Sequence, residues 1–498
     1  MIHHSPARLV FIRTCILLLR YAPLIETALL LGLLFGSSSR PYTTAALAIL
    51  LTIEIVFAVF AYLPHKSRIS HQATHPPPLT RKEREALFER CVANIPDWDR
   101  YLHLWFLYAD PSEIRRDNLR DFLLWAFFDS DTTVTSHEDE ITHYIHRVET
   151  RLGRALLPGR GAAVPLRLTL DAVPICYRSI IWYLIIALID LATHLTLRRH
   201  GFNHHTTYPA PQKIFPPRAA LLRPTQHVSP SPALTYWHRP HRSKTHHPIL
   251  FIHGIGIGLW PYTSFLADLD PQIGIIALEL LPISARLTHP PLSQAEFLSH
   301  LATILASHGP EWERFVLVSH SYGSVLTTHI LRSAELSPRV HALVLIDPVS
   351  VLLHLPDVAY NFTRRKPRTA NEWQLWYFAS MDVGVAEGLG RYFFWRENII
   401  WREELVGQNR KVAASLAGRD LIVDTRAVAR YLASEGDFTG EEEDVFDVAV
   451  DGNYLGTSGV EILWFPRLDH AQAFEERRDW RRVGEVVRKY CLVEDVLN

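Results

Sequence analysis

At 498 residues, 48% hydrophobic and 21% charged, the chain is long enough for more than one domain and too apolar to be a disordered polymer. A formal net charge of −1, without any basic stripe interleaved with aromatics, leaves no argument for a nucleic-acid partner. Four cysteines, Cys15, Cys91, Cys176 and Cys491, stand far apart without ligand spacing, which argues against a disulfide framework and agrees with a reducing compartment.

Two apolar stretches open the chain, at about 16–35 and 42–63, each near the length that crosses a bilayer. The polar segment 36–41 between them reads as a tight turn, so residues 1–70 are expected to form a two-span membrane hairpin. Arg20, Glu26 and Glu54 oppose that reading, because ionisable groups in hydrocarbon are costly. A cleaved signal peptide, with Gly36 to Ser39 as its small-residue site, is the rival; a second apolar run directly afterwards favours the hairpin. Positive charge flanks the outer ends, with Arg8 and Arg13 before and Lys66, Arg68, Arg81, Lys82 and Arg84 after, whereas the turn holds only Arg40. By the positive-inside tendency both ends, and the bulk of the chain, are expected to face the cytosol.

After His75-Pro76-Pro77-Pro78, residues 71–200 read as a helical region. Leu87, Cys91 and Ile95, then Leu119, Phe122, Leu123 and Phe127, recur at helical spacing, with Trp98, Trp105 and Trp125 among them. No polar constellation there suggests chemistry, so it reads as a packing region. A third apolar run, 180–197, holds Asp190 and His194 between Arg178 and Arg198-Arg199. It reads as an interfacial or buried helix rather than a third span, which would put the rest of the chain on the opposite side. Residues 201–247 are rich in proline and histidine and read as a linker, within which Leu234-Thr235-Tyr236-Trp237 forms an early edge strand. His238, His241, His246 and His247 interleave with Pro, Arg and Lys and imply no ordered ligand geometry, so no metal is expected.

From 248 to 485 the pattern changes. Short apolar runs at 249–252, 275–278, 315–318, 342–346, 412–416 and 461–465 alternate with helical patterns, which predicts a mostly parallel sheet covered on both faces. The run 315–318 leads through Ser319-His320-Ser321-Tyr322-Gly323 into a helix. A serine on such a sharp strand-to-helix turn stands above the carboxyl edge of the sheet, and the turn admits only small residues two places either side, here Ser319 and Gly323. Upstream, His253-Gly254-Ile255-Gly256-Ile257-Gly258 follows the first run; its spacing fails the dinucleotide pattern G-x-G-x-x-G. A nucleophilic serine needs a base, and the base an orienting carboxylate. Asp420 follows the run 412–416 and His470 follows the run 461–465. Asp347 is the alternative acid and Asp424 a weaker one, Asp469 reads as a turn residue, and His320 as packing.

The turn around Ser321 resembles the nucleophile elbow of the α/β-hydrolase superfamily, with Ser319 in place of the usual glycine. The order Ser321, Asp420, His470 is similar to that superfamily's order of nucleophile, acid and histidine. The resemblance covers about 248–480 and implies an α/β-hydrolase fold with a cap inserted at 349–411. It also implies an oxyanion loop at His253-Gly254 and an oxyanion hole made by the N–H groups of Ile255 and Tyr322. The insertion carries Trp373, Trp376, Tyr377, Phe378, Tyr392, Phe393, Phe394, Trp395 and Trp401, which suits an apolar acyl pocket with Arg364, Arg365 and Arg391 at its rim. The expected activity is hydrolysis of a lipid or lipophilic carboxylic ester through an acyl-Ser321 intermediate, with no cofactor. Acyl transfer or thioester hydrolysis on the same fold, or a non-catalytic membrane scaffold, are the alternatives.

Overall fold

Along each strand of the central sheet, alternate side chains enter two different cores, as the period of two requires. The computed structural model describes residues 5–35, 41–131, 137–206, 214–217, 227–434 and 452–493. Nine strands are found among them: β1 (Asn203–His205), β2 (Thr235–Arg239), β3 (Ile249–Ile252), β4 (Ile275–Glu279), β5 (Phe315–His320), β6 (Val340–Ile346), β7 (Lys411–Ala417), β8 (Gly452–Leu455) and β9 (Val460–Phe465). They form one sheet in the order β1-β2-β4-β3-β5-β6-β7-β9-β8. From β4 to β9 all neighbours are parallel; β1, β2 and β8 add antiparallel edges. Ile249, Phe251, Val316, Val318, Val344 and Ile346 face a core closed by the helix Arg477–Cys491 through Val483, Val486 and Val487. Leu250, Ile252, Leu317, Leu343 and Leu345 face the larger core on the other side.

That larger core corrects the expected domain division. Phe88, Trp105, Phe122, Trp125, Tyr144 and Ile145, from the helices between 81 and 152, join it together with Leu353, Phe362, Phe393 and Trp401 of the 349–411 insertion. The helical region is therefore a second wall of the sheet's larger core and not a separate packing unit. A buried ion pair, Arg84 Nη2 to Glu140 Oε2 at 2.7 Å, ties two of its helices together. The expected linker is also partly sheet. Its β2 is not an edge strand, because β1 pairs outside it in register His205↔Tyr236 and Asn203↔His238.

The N-terminal expectation shifts as well. The turn at 36–40 lies outside the described residues. The first apolar run does not start a helix at Ile16: one helix, Pro6–Arg20, ends at Tyr21, and a second, Ala22–Phe35, leaves it at 67°. Pro6–Arg20 docks on the cap, placing Ile12 and Ile16 against Ala370, Tyr377 and Met381 and Arg13 over the Trp373 ring. Among the described residues, two helices are long and apolar enough to cross a membrane, Pro41–Ser70 and Ile180–Arg199, and the bent pair passes the same test together. Glu54, which counted against a span, accepts hydrogen bonds from the Tyr177 hydroxyl and the Ile180 N–H, so its charge meets the N-terminus of Ile180–Arg199. That last helix packs against the rest of the fold, with Trp182, Tyr183 and Ile186 buried near one end and Leu197 at the other, and Asp190 paired with Arg286. Its outward stripe is Leu184, Leu188, Leu191 and Leu195. Several cations read as topology signals have internal partners: Arg68 pairs with Glu387, Arg81 with Asp139 and Arg84 with Glu140.

Removing one partner of a buried ion pair leaves an uncompensated charge, so Arg84→Ala is expected to cost about 3–5 kcal/mol. Thermal unfolding in detergent should show a clear drop in Tm, and a combined Arg84→Met, Glu140→Leu variant should recover most of it.

Candidate active site

Three loops at the carboxyl edge of the parallel strands bring Ser321, Asp420 and His470 into line. Ser321 follows β5 with φ +51°, a left-handed conformation that only a tightly braced turn holds for a side chain with a Cβ. Its N–H donates to Ile346 O, and the Ser324 hydroxyl donates to its carbonyl while accepting the N–H groups of Val349 and Ser350. Small residues are obligatory around it. A Cβ on Gly323 would lie 2.5 Å from Ile252 O, and one on Gly254 would lie 2.8 Å from the Ser321 Cβ and the His320 ring. Ser319 fits because its hydroxyl accepts from Thr327 Oγ1 at 2.9 Å inside the core.

His470 Nδ1 lies 2.6 Å from Asp420 Oδ2, and His470 Nε2 lies 2.8 Å from Ser321 Oγ. A carboxylate only accepts, so the imidazole proton sits on Nδ1 and Nε2 receives the Ser321 hydroxyl. The Asp420 side chain is fully buried; its other oxygen accepts from the N–H groups of Ile422 and Val423. Burial by itself would lower the His470 pKa, but the charge and hydrogen bond of Asp420, then Asp347 and Asp469, outweigh it and push it up to about 9.

The other carboxylates take different places. With both ring nitrogens of His470 engaged, Asp347 holds backbone instead: it accepts from Ala417 N–H at 3.1 Å and Ala471 N–H at 2.9 Å, joining the loops that carry Asp420 and His470. Burial, then repulsion from Asp420, pushes its pKa up to about 7. Asp424 caps the helix Thr425–Ala433 through Ala427 N–H. Asp469 is more than a turn residue: it accepts from the N–H groups of Leu421 and His470 and from Asn371 Nδ2 of the cap.

The loop after β3 approaches Ser321 from the other side. Leu280 N–H donates to His253 Nε2, so Nδ1–H donates to Gly254 O; the fully buried ring of His253 thus staples the loop. Gly254 N–H donates to the Tyr262 hydroxyl, which donates to His320 Nδ1 at 2.8 Å. The remaining proton of His320, on Nε2, faces Asp347 Oδ2 at 3.8 Å. His320 is therefore part of a polar brace between the oxyanion loop and the elbow, not packing alone. Burial keeps it neutral, well below the ordinary histidine range. Among the described residues, no backbone hydrogen bond engages the N–H of Ile255 or of Tyr322, and both residues line the same cleft as Ser321.

That cleft is narrow, with ≈ 50 Å³ of empty space, and it is partly open to solvent. Its walls are apolar: Leu353, Phe362, Phe393 and Trp395 from the cap and Trp105, Trp125 and Leu168 from the helical region. None of the arginines expected at its rim lines the cleft, and each is held on backbone carbonyls. Arg391 bonds to the carbonyls of Ile69 and Asp171, Arg365 to that of Leu421, and Arg364 to that of Thr363. The contribution of Trp105, Trp125 and Leu168 was not legible in the sequence, because helical spacing reports burial and not what the buried face meets.

Residues 249–487 match the model of the alpha/beta hydrolase family, so this part of the chain is an α/β-hydrolase domain. No curated protein matches the chain. Among solved structures, the chain is similar to a membrane phospholipase A described as a bacterial virulence factor, at 13% identity and a TM-score of 0.38, covering 62% of this chain and 92% of that one. It is similar to the carboxylesterase CesB of Bacillus subtilis at 12% identity and a TM-score of 0.33, covering 61% and 98%. A thermophilic esterase from Thermogutta terrifontis gives 14% identity and a TM-score of 0.35, covering 52% and 94%.

Because the Gly254 Cβ position is already occupied, Gly254→Ala is expected to be destabilised by about 1–3 kcal/mol, as overpacked sites are. Gly407→Ala, where a Cβ meets nothing within 4 Å, should leave Tm unchanged in the same thermal melt.

Proposed function

We propose that the protein is a serine hydrolase that cleaves a lipophilic carboxylic ester through an acyl-Ser321 intermediate. The observation that carries the reading is the pair of short contacts, 2.6 and 2.8 Å, linking Asp420, His470 and Ser321 at the floor of an apolar cleft. His470 takes the Ser321 proton as Oγ attacks the ester carbonyl, and Asp420 stabilises the imidazolium so formed. The N–H groups of Ile255 and Tyr322, the latter at the start of the helix Gly323–Arg332, receive the developing oxyanion. Collapse expels the alcohol, protonated by His470. Water, activated by the same imidazole, then releases the acid. The apolar walls suit an acyl chain.

The reading extends to the membrane. The bent pair Pro6–Arg20 and Ala22–Phe35 forms, with Pro41–Ser70, a hairpin inserted in the bilayer, making the protein multi-pass, while Ile180–Arg199 lies at the interface. Support comes from the outward apolar side chains Leu24, Leu29, Ile49, Ile53, Val56 and Phe60, and from the docking of Pro6–Arg20 on the cap, which leaves both hairpin ends beside the hydrolase domain. The hydrolase domain then faces the cytosol, with Arg8, Lys66 and Lys82 as the flanking cations that carry the positive-inside argument.

A fluorophosphonate probe should label the wild type and leave Ser321→Ala unlabelled; equal labelling of both would remove the nucleophile. Asp420→Asn should lower kcat/KM on a medium-chain ester by on the order of 10³–10⁴-fold, and Asp347→Asn by less. Catalysis needs neutral His470, so activity rises with pH through its raised pKa. Asp420→Asn removes the main cause of that raise, and the acid limb should move to lower pH. In sealed microsomes, protease added outside should digest the hydrolase domain; protection would reverse the orientation.

A further inference from the structure

The strand pairing that makes β1 an edge strand also assembles histidines that are far apart in the sequence. His205 pairs directly opposite Tyr236 in the β1–β2 ladder, and His238 lies two residues beyond Tyr236, so all three side chains share one face of the sheet. The helix Gln294–Ala306 shares a core with Tyr236 and ends just before His308. Ligand nitrogens of His205, His238 and His308 all lie within 4.8 Å of one another. Two of them aim at one point: His205 Nδ1 and His308 Nε2 lie 3.1 and 2.9 Å from the Tyr236 hydroxyl. The His238 and His308 rings are 3.9 Å apart. His227 stacks on His205 at the edge of the cluster, whereas the histidines after His238 disperse. His241 accepts from Gly274 N–H, His246 bonds to Ser243 Oγ, and the His247 ring rests on His341.

We infer that His205, His238 and His308 form a three-imidazole site for a divalent cation of the zinc class, with the Tyr236 hydroxyl or a water as the fourth ligand. Tetrahedral zinc with Zn–N of about 2.0–2.1 Å sets its nitrogens about 3.4 Å apart, within reach of ring rotations in this partly buried cluster. Neutral imidazoles with no carboxylate among them favour zinc, cobalt or copper over magnesium or calcium. The site lies away from Ser321: His238 pairs with Ile276 near the start of β4, and His308 precedes β5, whereas the triad stands at the carboxyl ends of the strands. Its role is accordingly a clamp. It fastens the three-residue edge strand β1 to β2 and to the helix Gln294–Ala306, and it takes no part in ester chemistry. The expectation of no metal weighed only histidines adjacent in sequence, and this proposal rests on histidines that the strand pairing brings together.

The test is cobalt titration of the full-length, chelator-stripped protein in detergent, carrying no histidine tag. One equivalent of Co²⁺ should give the intense visible bands of a four-coordinate site, displaced by one equivalent of Zn²⁺. His238→Ala and His308→Ala should each lose the bands, while His246→Ala keeps them. Fluorophosphonate labelling of Ser321 in the same samples checks that the variants are folded. Zinc should also raise the wild-type Tm, and that rise should vanish in His308→Ala. Absence of the bands in folded wild type, or bands that survive in both His238→Ala and His308→Ala, would overturn the assignment.

Discussion

The hydrogen-bonded line from Asp420 through His470 to Ser321 is the constraint that the surrounding structure serves. It spans three loops at successive strand ends, and each loop is fixed by contacts that do no chemistry. Ser321 is held in a left-handed turn by Ser324 and by the absence of side chains at Gly254 and Gly323. Asp347 and Asp469 tie the Asp420 loop to the His470 loop, and Asn371 carries the tie into the cap. Preorganisation of this kind matters because a nucleophile displaced by about 1 Å loses rate on the order of 100-fold.

The cap is shared property. Its inner face packs on the sheet and on the helical region before the hydrolase domain, and its outer face receives the first helix, Pro6–Arg20. Ion pairs and carbonyl contacts run between the same bodies, Arg68 to Glu387, Arg178 to Asp382, and Arg396 to Asp129. The apolar N-terminal helices and the pocket wall are thus mechanically continuous, which places an apolar cleft next to an apolar exterior.

Much of the hydrolase half was legible in the sequence, because a parallel strand buried on both faces is a continuous apolar run and a nucleophile turn restricts its neighbours to small residues. All six parallel strands fall where the runs 249–252 to 461–465 put them, and Ser321, Asp420 and His470 converge. What was hidden depends on tertiary contact. Trp105 and Trp125 show a helical period wherever they pack; only the fold turns that face into the cleft. His320 gave one signal, adjacency to Ser321, but its bond to Tyr262 joins residues 58 positions apart. The break at Tyr21 was masked by an apolar run that continues across it. Arg391, an exposed rim in prospect, is spent on the carbonyls of Ile69 and Asp171.

Trapping the covalent intermediate tests the account most directly. Protein mixed briefly with a slowly released aryl ester and quenched in acid should, on peptide mass mapping, carry the acyl group on the peptide containing Ser321. That adduct should be absent from His470→Ala. An acyl group found reproducibly on another residue, or turnover of the ester with no acylated peptide under conditions that trap a serine esterase, would contradict it.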